Sequence, residues 1–349
     1  MLNKKWILIA LALLVMALLI FAKRNVTVDK SIKQKGVCWV GTRDSITIEQ
    51  MLPLKEHGIT WISLTPFAFQ SSFNDTTLRF HHKEDKKGWW GESFNGIRQT
   101  TRMAKRLNLK VTLKPHIWLR QGWPGEIEMD TEQKWKTWFQ KYENYILGFA
   151  QLAEEEKIEI LCIGTELKKT IHRKEWRNLI SSIRKIYKGK ITYAANFDEY
   201  QQVPFWHQLD YIGIQAYFPL CNNPSCSQEE IKLKWKTINA ELQSFYHRKN
   251  KPILFTEIGY RSANDAAVKP WEWPERNQNN NFSEEAQAQA YEAFFSTTWN
   301  EKWLSGVYFW KWYPRLSERL PKTDFTPQQK QASTVLKKYF NLESNDKGY

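Results

Sequence analysis

The feature that most constrains the fold is a pattern repeated along nearly the whole chain. A short apolar run is followed by a longer amphipathic stretch, and the pair recurs eight times between Gly36 and Phe340. The runs are Gly36–Gly41, Ile59–Pro66, Leu109–His116, Ile158–Glu166, Ile191–Asn196, Asp210–Tyr217, Pro252–Glu257 and Gly306–Trp312. Each reads as a buried strand. Helices are expected over Thr47–His57, Ser93–Leu107, Thr131–Glu156, Lys174–Tyr187, Ser227–Arg248, Ser283–Asn300 and Pro327–Phe340, with a short helical piece near Tyr200–His207. Gly58 is a helix stop, and Ser283 is a plausible N-cap.

Eight strand–helix units with long loops after the strands describe an α/β fold, a (β/α)8 TIM barrel. An open doubly wound sheet would want a Gly-rich phosphate turn after its first strand. Gly41-Thr-Arg-Asp44 is no such turn.

Lys4 and Lys5 precede an unbroken apolar run from Trp6 to Ala22, then Lys23 and Arg24. The run just reaches the ~17–25 residues of a spanning helix and exceeds the ~7–15 of a signal-peptide core. No small-residue cleavage site follows it. The expectation is a membrane anchor at 1–24, with a cleaved signal peptide as the alternative. A linker at 25–35, a catalytic barrel at 36–341 and a tail at 342–349 complete the division, the barrel lying outside the cytoplasm. Cys38 and Cys162 read as buried small hydrophobes. Cys221-Asn-Asn-Pro-Ser-Cys226 is a turn-rich loop whose ends can meet in a disulfide, which suits an oxidising compartment.

The net charge of +14 raises a nucleic-acid hypothesis. The basic residues are interleaved with Glu along helices, as Lys134, Lys136 and Lys141 are with Glu132 and Glu143, and no nucleic-acid-binding signature accompanies them. The reading is a solvated basic surface and no nucleic-acid partner. Eighteen Trp, in a chain 15% aromatic, suit flat apolar platforms for sugar rings as well as core filling.

Two of the apolar runs end alike. Ile158–Glu166 closes on Gly-Thr-Glu and Pro252–Glu257 on Thr-Glu, followed by Ile258 and Gly259. A carboxylate is costly in an apolar interior, so each belongs at a strand's mouth. In barrel order, Glu166 ends the fourth strand and Glu257 the seventh, facing each other across the opening. Retaining glycosidases hold such a pair ~5–5.5 Å apart. Strand alternation picks out further candidates for holding a sugar: Trp39 in the first strand, His116 at the end of the third, Asn196 ending the fifth, Tyr217 ending the sixth, and Trp310 or Trp312 in the eighth. Tyr217 is placed to donate to Glu257. Two carboxylates and water need no metal or organic cofactor.

One Glu after the fourth strand and one after the seventh resembles clan A of the glycoside hydrolases. Gly164-Thr-Glu166, Thr256-Glu-Ile-Gly259, Lys114-Pro-His116 and Tyr308-Phe-Trp-Lys-Trp312 together are similar to glycoside hydrolase family 113. The resemblance covers roughly residues 35–340. It implies an endo-β-1,4-mannanase-like retaining activity on mannan or manno-oligosaccharides, with Glu166 as acid/base and Glu257 as nucleophile. Thr165 stands where many members of the clan carry Asn. The rival readings are another clan A β-glycosidase, such as a β-mannosidase or β-glucosidase, and a non-catalytic glycan-binding barrel. A monomer is expected. Endo or exo action depends on whether loops close the cleft.

Overall fold

Strands of an all-parallel sheet are covered on both faces and are therefore apolar throughout. That is the arrangement in the computed structural model, which describes residues 33–80, 89–273 and 281–342. Eight strands close a barrel: β1 (Gln34–Trp39), β2 (Trp61–Leu64), β4 (Lys110–Leu113), β6 (Ile160–Thr165), β7 (Lys190–Asn196), β8 (Ile212–Gln215), β9 (Ile253–Ile258) and β10 (Leu304–Trp312). Around the barrel they run β1-β2-β4-β6-β7-β8-β9-β10, and every neighbouring pair is parallel. Two further strands, β3 (Phe67–Gln70) and β5 (His116–Leu119), form a small parallel sheet of their own. They continue β2 and β4 beyond Pro66 and Pro115, a continuation that the sequence does not announce.

The helices are α1 (Leu52–Glu56), α2 (Phe94–Arg106), α3 (Glu132–Glu155), α4 (Glu175–Ile186), α5 (Gln228–Lys249), α6 (Glu284–Thr297) and α7 (Gln331–Leu342). Four of their starts are fixed by side-chain caps. Ser93, Thr131 and Ser283 accept from the backbone N–H of Gly96, Lys134 and Ala286, and Ser227 forms a reciprocal capping box with Glu230. The Thr47–His57 expectation resolves into a 3-10 turn over Ile48–Met51 followed by α1. The helical piece near Tyr200–His207 shrinks to a 3-10 turn over Trp206–Gln208.

The anchor expectation and most of the linker and tail lie outside the described residues. Among the described residues no helix is long and apolar enough to cross a membrane.

Side chains fill the barrel in layers. Deep inside, Tyr308 donates to Gln34 Oε1 at 2.7 Å, and its hydroxyl lies 2.6 Å from that of Thr112. Cys38, Trp61, Ile160 and Leu254 surround it. The alternate residues point outward into the larger core between barrel and helices. Trp176 of α4 anchors that layer. It is fully buried, donates from Nε1 to the Thr170 carbonyl at 2.9 Å, and stacks on Phe205 with centroids 5.2 Å apart. Its outer neighbours Tyr142 and Tyr193 meet it edge-on.

Trp176→Ala removes this ring together with its hydrogen bond and leaves a cavity behind β6 and β7. The expected cost is about 3–5 kcal/mol of unfolding free energy, read as a lowered urea midpoint at unchanged slope.

Candidate active site

Glu257 lies in β9, whose six residues are all buried. An ion in such a place needs a partner of opposite charge and filled hydrogen bonds. Lys114, one residue past the end of β4 and wholly inaccessible to solvent, supplies both through an ion pair to Oε1. The same ammonium donates to the Thr256 carbonyl at 3.2 Å and reaches Gln215 Oε1 at 3.5 Å. Tyr217, two residues past β8, donates its hydroxyl to Glu257 Oε2 at 2.7 Å. His116 Nε2 stands 3.7 Å from Oε1. Burial by itself pushes the Glu257 carboxyl up, but the Lys114 charge and hydrogen bond outweigh it and hold the group below its ordinary range. Burial, reinforced by the Lys114 charge, lowers His116 to about 3, so the imidazole is neutral.

Glu166 is built differently. It follows β6 immediately and has φ +54°, the left-handed region that costs a residue with a Cβ about 1–2 kcal/mol. The bend is held from both sides. The Glu166 N–H donates to the Ala194 carbonyl at 2.8 Å, and the Leu167 N–H donates to the Tyr193 hydroxyl at 2.9 Å. The half-buried carboxyl takes a hydrogen bond from Trp123 Nε1 at 2.9 Å. Its pKa is pushed up to about 7, first by burial and then by the negative charge of Glu257, against the opposing pull of Trp123 and Lys114. The two carboxyls thus share one mouth, with Glu257 ionised and Glu166 keeping its proton until the pH reaches about 7.

The other sequence candidates divide into two groups. Trp310 is 8% exposed, faces the mouth, and has the Lys114 ammonium 5.9 Å from its ring and His116 stacked at 6.3 Å. Asn196 ends β7, half-buried, with its amide donating to Asp198 Oδ1 at 2.9 Å. Tyr217 and His116 belong to the cluster around Glu257.

Trp39 and Trp312 do not line the mouth. Trp39 follows the inward-pointing Cys38, so alternation turns it outward into the layer under the helices. Trp312 escapes the expected alternation because the β1–β10 register slips. Val37 pairs with Phe309 but Trp39 pairs with Trp312, and the Trp312 ring meets His57 edge-on at 5.0 Å, behind the barrel wall.

Lys114 and Trp123 were not among the expected site residues. The signal for Lys114 was present: it shares inward parity with Thr112, and an inward Lys needs a carboxylate. Trp123 gave no comparable signal, because its bond to Glu166 depends on the path of an irregular loop.

The profile of Glycoside Hydrolase Family 113 matches residues 39–330. A family 113 β-1,4-mannanase solved as a complex aligns with a TM-score of 0.76 and 24% identity, covering 89% of this chain and 99% of that one. A family 113 β-mannanase from Alicyclobacillus acidocaldarius, solved with ManMIm, gives the same TM-score and identity and is covered over 98% of its length. A β-glucuronidase from Faecalibacterium prausnitzii aligns at TM-score 0.57 and 13% identity over 49% of its chain. No curated protein sequence matches. With the profile running from the end of β1 to the start of α7, the chain belongs to Glycoside Hydrolase Family 113 and is a glycoside hydrolase.

Proposed function

We propose that the protein cleaves β-1,4-mannosidic linkages in mannan or manno-oligosaccharides with retention of configuration, Glu257 acting as nucleophile and Glu166 as acid/base. The observation that carries this reading is a pair of carboxyls in one mouth held by different partners, Glu257 by the Lys114 ammonium and the Tyr217 hydroxyl and Glu166 by Trp123 Nε1. This agrees with a Glu257 pKa below and a Glu166 pKa above the ordinary range. The mannan assignment is supported by the likeness to family 113 β-mannanases.

In the first step a Glu257 oxygen attacks the anomeric carbon while the C1–O bond to the leaving sugar breaks. The Glu166 proton passes to the departing oxygen. The ester so formed removes the negative charge of Glu257, which after burial is the largest of the causes that kept the Glu166 proton in place. Glu166 becomes a stronger acid, ionises, and serves as base in the second step. It takes a proton from water, whose oxygen attacks C1 as the Glu257 ester bond breaks. The net reaction adds H to the leaving oxygen and OH to C1. Lys114 and Tyr217 stabilise the carboxylate that returns. Trp310 supplies the flat floor beneath the sugar, with His116 and Asn196 at its edges. Export of the catalytic domain belongs to the same reading, and the disulfide between Cys221 and Cys226 supports it.

Glu257→Ala is expected to abolish turnover, and added azide to yield a glycosyl azide of inverted configuration; absence of that product rules out the nucleophile assignment. Glu166→Ala is expected to lose roughly 10²–10⁴-fold in rate on poor leaving groups and far less on dinitrophenyl glycosides. Equal losses on both remove the acid assignment. In the wild type, kcat/KM falls as pH rises through about 7, where Glu166 loses its proton. Trp123→Phe deletes a hydrogen bond that favours the ionised form, so this basic limb moves to higher pH.

A further inference from the structure

The loop after β9 decides what shape of substrate the mouth accepts. A polymer lying between Glu166 on β6 and Glu257 on β9 must leave the mouth on two sides. One exit runs over β7 and β8; the other runs over β10, β1, β2 and β4. The loop's described residues, 259–273, reach both. Trp271 stacks on Phe197, just past β7, with centroids 5.3 Å apart and planes at 24°. Trp273 meets Trp118 of β5 edge-on at 6.4 Å, on the far side of the barrel. All three Trp residues are more than 40% exposed, at 42%, 54% and 47% for Trp271, Trp273 and Trp118, so the contacts lie at the rim and not in the core.

The crossing is braced. Leu220 N–H and Cys221 N–H both donate to the Ala267 carbonyl, at 2.8 and 3.1 Å. Arg261, 5% exposed, reaches Asp265 at 3.1 Å and Glu272 at 3.8 Å. Trp273 itself is held by the Lys311 ammonium 4.9 Å from its ring and by Trp310 and Phe325 edge-on. On the Glu257 side the aromatic contacts close on themselves: Phe67, His116, Trp310, Trp273 and Trp118 each touch the next, and Trp118 returns to Phe67 at 6.1 Å.

We infer that the mouth is a blind pocket and that the enzyme removes sugars from chain ends, taking the non-reducing end of short β-linked manno-oligosaccharides in preference to the interior of a polymer. The inference rests on the proposed function and fixes its substrate class. Glu257 is 4% exposed and lies inside the aromatic wall, while Glu166 is half-buried nearer the solvent. The sugar attacked at C1 therefore sits at the bottom, and the leaving chain points out past Glu166. Attack at C1 of the innermost unit makes that unit the non-reducing terminus. An internal unit would need a continuation through the wall of Trp118 and Trp273.

The test is the early product pattern from β-1,4-mannohexaose labelled at its reducing end. Mannose and labelled pentaose are expected first, then labelled tetraose, in a descending ladder. Labelled dimer and trimer at the earliest times overturn the chain-end inference and leave the proposed function standing. No product from the hexaose or from an aryl β-mannoside overturns both. The double variant Trp118→Ala/Trp273→Ala removes two exposed rings and opens the exit over β4. It is expected to lose the ladder, with internal cleavage and a faster viscosity drop on soluble mannan. A ladder unchanged in this variant, with its fold verified by circular dichroism, overturns the rim as the cause.

Discussion

The buried pair of Lys114 and Glu257 is the constraint around which the upper barrel is arranged. Neither ion is tolerable alone in a layer so dry, where removing one partner of such a pair typically costs several kcal/mol. Together they satisfy each other, and the surplus donors of the ammonium are taken up by Gln215 and the Thr256 carbonyl. The pair also settles the electrostatics around it. Its cation adds to the burial that keeps His116 neutral, and its anion adds to the burial that keeps the proton on Glu166. One contact across the barrel, from β4 to β9, thus biases the protonation of two residues besides its own members.

Below that layer the barrel is an ordinary packed interior. Tyr308, Thr112 and Gln34 close a hydrogen-bonded group that leaves the phenol satisfied, and apolar side chains fill the rest. The polar layer rests on a dense floor, so its side chains have little room to relax. This is what an electrostatic site needs, since dipoles and charges that are already oriented cost nothing to reorganise when charge moves.

Much of the barrel was legible because all-parallel strands must be apolar along their whole length, and helices carry caps. Ser283 was read as such a cap, and the expected helices beginning at Ser93, Thr131 and Ser227 prove to be capped by those residues. The two glutamates were legible for the opposite reason: a carboxylate ending an apolar run has few places to go. What escaped reading was irregular backbone. β3 and β5 lie beyond Pro66 and Pro115, where a strand looks finished. Trp39 was offered as a sugar-holding candidate for its place in the first strand, and it packs in the core cluster. Trp312 was misread because alternation was carried through a register slip that only the pairing partner reveals. The rim contacts of Trp271 and Trp273 depend on a loop path, and nothing in their spacing forecasts it.

The left-handed backbone at Glu166 has a consequence for how this chain can drift. Asn or Gly would occupy that conformation with less strain, and neither would leave a buried acid beside another. Selection for robustness alone, with no sugar to process, therefore favours losing the carboxyl. Descendants released from their task should accumulate sturdier barrels with silent mouths, and the position where they first change is the one immediately after β6.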